Sequence, residues 1–86
     1  MAASLLSPFQ PELVALAFYT KAIENDPRND EALARKGALL EGLNRFEDAV
    51  PLFHRALEIN PKCMIAKRGL NYADYYFAHP DSGYYT

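Results

Sequence analysis

The chain has 86 residues, half of them apolar and 23% charged, with a net charge of −2 and an isoelectric point near 5.6. A chain of this length buries only about 60–65% of the surface that its unfolded form exposes, which leaves little scaffold for a walled catalytic pocket. Mild acidity without a basic stripe or lysine cluster argues against nucleic acid or an anionic membrane surface as a partner.

Alanine and leucine together number 24, against seven for valine, isoleucine and threonine, so an all-α chain is expected. The apolar run 13–20 is far short of the roughly 20 residues of a membrane-spanning helix. The N-terminus has neither the basic start of a signal peptide nor the arginines of a transit peptide. A single cysteine, Cys63, allows no internal disulfide, and a reducing, cytoplasmic setting is the default expectation.

Four helices are predicted in chain order. The first spans 11–25, opened after Gln10 with proline in its first turn, and places Ala15, Tyr19 and Ala22 on one face at steps of four and three. The second spans 30–43, with Asn29 or Asp30 as its cap, Gly42 at its end and an inward stripe of Leu33, Gly37 and Leu40. The third spans 45–59 and repeats the first pattern in Ala49, Phe53 and Ala56. Pro51 lies early in it, where a lost donor predicts a slight bend rather than a break. The fourth spans 64–78 and is expected to bury Ala66, Leu70, Ala73 and Phe77.

Residues 15–27 and 49–61 align without gaps at a shift of 34. Four of the 13 pairs are identical (Ala15/Ala49, Ala22/Ala56, Glu24/Glu58, Pro27/Pro61), and five more are chemically close. Small alanines admit a neighbouring helix, the aromatic between them fills the groove, and each proline stops its helix. A period of 34 with these residues resembles the tetratricopeptide repeat (TPR) family. The resemblance rests on Gly37, Ala49, Phe53, Ala56 and Pro61, and on the turn from Asn44 to Ala49. Leu33 stands where the family often has tryptophan, and Lys36 where it has leucine.

The resemblance implies a short right-handed helical solenoid of about four antiparallel helices and a non-catalytic protein-binding role. One complete repeat (30–61) lies within a module of 11–78, flanked by an extension (1–10) and a tail (79–86). Lys67 and Asp74 stand where a following repeat would carry large apolar residues, as in a terminal capping helix.

About three repeats are normally needed to bury a continuous core. The segment 1–9 is too short to supply the helix that should precede the first one. Leu13, Leu16, Ala17 and Phe18 are therefore expected to leave an apolar end. Another chain or a second copy would cover it, or residues 1–9 would fold back over it.

The family's concave groove would be lined by Glu31, Ala34, Arg35, Ala38 and Glu41 of the second helix. Ile65, Arg68, Tyr72, Tyr75 and Tyr76 of the fourth would face them. Arginine suits a carboxylate and tyrosine supplies rigid contact area. At spacing i, i+4, however, Glu31 and Arg35 are equally placed to pair with each other. Tyr72 and Tyr76 fall outside the inward stripe and form the preferred partner surface.

A chaperone-binding subfamily holds a peptide carboxylate with a lysine followed four residues later by an arginine. Arg35 matches, but Glu31 takes the lysine's place and would repel an acidic tail. His79-Pro80-Asp81 matches the tripeptide of J-domain co-chaperones, yet only five residues follow it. A helix-ending turn is the simpler expectation. His54 with Glu58, the scattered serines and Cys63 make no catalytic constellation, and no cofactor or metal site is expected.

Overall fold

The computed structural model describes residues 10–78. Four helices account for most of them: α1 (Pro11–Asn25), α2 (Asp30–Gly42), α3 (Phe46–Ile59) and α4 (Met64–Ala78). No strand occurs among the described residues. The expected bounds of α1 and α4 hold, while α2 stops and α3 starts one residue inside theirs.

The 34-residue period extends into the turns. Asp26 Oδ1 accepts the Arg28 N–H at 3.1 Å, and Asn60 Oδ1 accepts the Lys62 N–H at 3.0 Å. Each side chain thus closes a local turn just after its helix. Asn29 then caps α2, its side chain accepting the Ala32 N–H at 3.0 Å. Asp30 has a different task, accepting a hydrogen bond from Asn60 Nδ2 at 3.1 Å and so tying the end of α3 to the start of α2.

Gly42 is the last residue of α2, as expected, and the residue in left-handed conformation in the α2–α3 connection is Asn44, at φ 64°. Arg45 N–H reaches Leu40 O at 2.7 Å and Asn44 N–H reaches Glu41 O at 2.9 Å, which satisfies two terminal carbonyls in a Schellman turn. Asparagine tolerates this conformation better than other non-glycine residues.

Helix α2 packs against all three others and α4 packs on α2 and α3, whereas α1 contacts α2 alone. The core is Leu33, Ala34, Leu40, Ala49, Phe53, Ala56, Cys63 and Ala66, with Leu16, Ile23, Leu52, Leu57, Ile59, Ile65 and Leu70 packed half-buried against it. Phe53 is the largest fully buried side chain, and its burial contributes roughly 1.5–3 kcal/mol. Its ring sits against the backbone of Gly37 on α2 and of Gly69 on α4.

Three core expectations change. The inward stripe of α4 is Ala66, Gly69 and Ala73, while Leu70 is half-buried and Phe77 is exposed. Gly69 is inside because Phe53 needs space on α4 as well as on α2. Ala34, expected to line the groove, is fully buried, since it shares a face with Gly37 and Glu41.

Candidate protein-interaction surfaces

Three surfaces stand out. The first is α1, in which no residue is fully buried and Leu13, Val14 and Phe18 are exposed. The repeat explains why this is unusual. Leu13, Val14 and Ala17 occupy the places that Glu47, Asp48 and Pro51 hold on α3, where the side chains are solvated. The first two turns of α1 are thus apolar on their outer face as well as their inner one, and Lys21 and Glu24 make the last two polar there. Leu16, grouped with the exposed end from sequence, is half-buried against the core.

The second is an aromatic cluster. Phe46, at the start of α3, is 3% exposed and lies under rings of α4. Tyr76 stacks on it at 4.0 Å and 9°, while Tyr72 leans over it at 5.4 Å and 53°. Phe77 adds edge contacts to both Phe46 and Tyr76. Tyr72 and Tyr76 therefore hold α4 onto α3 with one ring face while keeping roughly half their surface in solvent. Phe46 lies three residues before Ala49 and extends the buried stripe of α3 by one turn, the signal by which the sequence marks it. Tyr75 is also exposed, and the tripeptide at 79–81 lies outside the described residues.

The third is the groove between α2 and α4. One stretch is a cavity of about 350 Å³ bordered by Ala15, Tyr19, Arg35, Ala38, Leu39 and Ile65. An adjoining cavity of about 300 Å³ shares Ala38 and Ile65 and adds Glu41, Arg68, Gly69 and Tyr72. Arg35 Nε donates to Glu31 Oε2 at 2.8 Å, an exposed i, i+4 pair. The hydrogen bond and charge of Glu31 raise the guanidinium pKa further above its already high value. The two groove charges thus meet each other. Glu41, named from sequence only as a groove residue, is 8% exposed with its Oε2 buried and unpartnered. Burial pushes its carboxyl up to about 7. Its place four residues after Gly37 was the available signal.

Over residues 30–63 the sequence matches the tetratricopeptide repeat family. The match spans α2, α3 and the turn to α4, the same unit that contains the Phe53–Gly37 packing. Residues 30–63 are thus a tetratricopeptide repeat. The chain is also 32% identical, over 83 aligned positions, to the peroxisomal targeting signal receptor of Saccharomyces cerevisiae; the alignment covers 79% of this chain and 14% of the receptor. The chain therefore spans a small fraction of that relative's length. No solved structure gives a significant match. TPR units are protein–protein interaction modules, and residues 30–63 form one such unit. None of its described helices is long and apolar enough to cross a membrane.

Proposed function

We propose that this chain is a small adaptor or subunit that docks on a larger protein assembly through the apolar outer face of α1, with the tyrosine-bearing side of α4 as a second contact. The observation that carries this reading is the uncovered apolar face of Leu13, Val14 and Phe18, at 52%, 56% and 66% exposure. An exposed apolar patch of this kind usually marks an interaction surface. The module is the unit 11–78, and a reducing compartment suits Cys63, which is buried and free.

The relative is by name a receptor for a targeting signal, and a module that receives part of another protein is in keeping with it. A carboxylate-clamp co-chaperone gains no support, because Glu31 engages the arginine such a clamp would use. Sedimentation of the intact chain at micromolar concentration, alone and with proteins captured from its source, tests the docking. Association should weaken when Leu13 and Phe18 are both changed to Ser while far-ultraviolet circular dichroism stays unchanged. A lone monomer that captures nothing, or capture indifferent to the double substitution, overturns the proposal.

A further inference from the structure

The 34-residue period relates helices as well as residues: α1 corresponds to α3, and α2 to α4. Helix α2 lies across the α3–α4 pair and contacts both members. Among the described residues no third helix contacts both members of the α1–α2 pair. What that leaves open is a cavity of about 410 Å³, walled by Phe18, Tyr19 and Ala22 of α1 and by Ala32 and Arg35 of α2.

One period later the same wall is core. Tyr19 becomes Phe53, Ala22 becomes Ala56 and Ala32 becomes Ala66, all fully buried in a cluster with Leu33, Ala34 and Leu40 of α2. Leu52, the counterpart of Phe18, packs half-buried on that cluster, whereas Phe18 is 66% exposed. Tyr19 and Ala22 are only half-buried as well. The cavity is thus the place, one period earlier, that α2 fills in the complete repeat. It already has the aromatic between alanines that seats a helix there.

The occupant's chemistry follows from what α2 presents. Leu33, Gly37 and Leu40 are buried along one stripe, with Gly37 bare against the Phe53 ring. A helix on Tyr19 needs the same small residue at its centre and a large apolar residue a turn to either side. Its rim differs in one respect. Arg35, which pairs with the exposed Glu31, stands where Gly69 borders the same cavity as Glu41. An acid in the Glu41 register would therefore meet the remaining N–H groups of a guanidinium. A second copy of this chain does not fit. The counterpart of α2 that it would offer is α4, where Leu33, Gly37 and Leu40 are replaced by Lys67, Asn71 and Asp74, all exposed.

We infer that the α1–α2 cavity seats an amphipathic helix of a partner protein, with the stripe Leu-x-x-x-Gly-x-x-Leu, so that the partner completes the half-repeat of α1. This deepens the reading of α1 as a docking element and rests on it.

The test titrates the isotope-labelled intact chain with capped peptides and follows amide shifts by nuclear magnetic resonance. A peptide of the α2 sequence, residues 30–42, should bind saturably, gain helix and shift Phe18, Ala22 and Arg35. The peptide carrying Gly37→Leu should bind about tenfold more weakly or worse, through overpacking on Tyr19. The peptide carrying Glu41→Gln should lose about two- to fivefold, and Arg35→Gln in the chain should reproduce that loss. Ala22→Leu in the chain fills the seat and should abolish binding while the melting curve shows the fold intact. Leu13→Ser lies outside the seat and should leave binding unchanged.

Three results each overturn the inference: no saturable shift, equal binding of the Gly37→Leu peptide, or shifts confined to Phe53 and Ala56, where the peptide would have displaced α2. A peptide of α4, residues 64–78, binding as tightly would make the occupant a second copy and overturn the partner assignment. The sedimentation test of Leu13 and Phe18 responds to docking by α1 whatever the partner's form. If it succeeds while this titration fails, α1 docks a partner that is not a helix in this cavity.

Discussion

The ring of Phe53 occupies the space where Gly69 would carry a Cβ, so α3 and α4 meet with aromatic carbon against bare backbone. The ring is fully buried and has no free direction in which to retreat. Gly69→Ala should therefore cost about 1–3 kcal/mol through overpacking, outweighing a helix-propensity gain of at most about 1 kcal/mol. Gly37→Ala, whose Cβ would lie 2.7 Å from Phe53 Cε1, should also destabilise, though less. Gly42 is helical with nothing near its missing Cβ, and Gly42→Ala should stabilise by about 0.5–1 kcal/mol. Urea midpoints of the three variants decide the order.

Much of this arrangement was legible in the residues. The 34-residue spacing of Ala15, Tyr19 and Ala22 with Ala49, Phe53 and Ala56 located the helices, because small residues and prolines at fixed spacing leave few alternatives. Gly37 was recognised as a contact glycine by its loss of helix propensity. Gly69 carries the same mark and was passed over, because a stripe drawn through the larger Leu70 and Phe77 looked equally periodic. The site was less legible than the fold. Burial of Glu41 depends on how closely α4 approaches α2, a distance set by Gly69 and Phe53 rather than by any residue next to Glu41. The stacking of Tyr72 and Tyr76 on Phe46 is likewise a tertiary event that no single helix encodes.

Asn44 holds the left-handed position of the α2–α3 turn, where a Cβ is unfavourable and asparagine is the best tolerated alternative to glycine. Asn44→Gly should be neutral or slightly stabilising. Asn44→Val should cost about 1–2 kcal/mol, since a β-branched residue at φ 64° strains the turn that places Phe46. Thermal midpoints of the pair separate conformation from side-chain contacts, because the Asn44 side chain is exposed.

Tyr76 lies parallel to Phe46 at 4.0 Å, and such a pair contributes about 0.5–1.5 kcal/mol beyond its buried area. Tyr76→Ser should lower stability by about 1–2 kcal/mol and loosen the end of α4. Tyr76→Phe keeps the ring and should fold as the native chain does. If partner binding also survives in Tyr76→Phe but fails in Tyr76→Ser, the ring face rather than the hydroxyl makes the contact. Amide hydrogen exchange in the last two turns of α4, measured beside partner capture, separates the two effects.

Glu41 makes stability depend on pH in a direction opposite to that of a salt-bridged acid. Desolvation raises its folded pKa to about 7, well above the ordinary carboxylate value of 4.5. Below about pH 4.5 the carboxyl is protonated in both folded and unfolded chains, and Glu41 adds no dependence. Between about 4.5 and 7 the unfolded chain releases the proton while the folded chain keeps it, so stability falls as pH rises. Above about 7 both forms are ionised and the loss stays constant, on the order of 3 kcal/mol. Glu41→Gln removes the ionisation, so its stability advantage over the native chain should grow through this window and be largest above pH 7. Urea unfolding of both proteins at pH 4, 6 and 8 should show the curves separating upward in pH. Parallel curves would mean that the Glu41 carboxylate finds water or a donor in the folded chain.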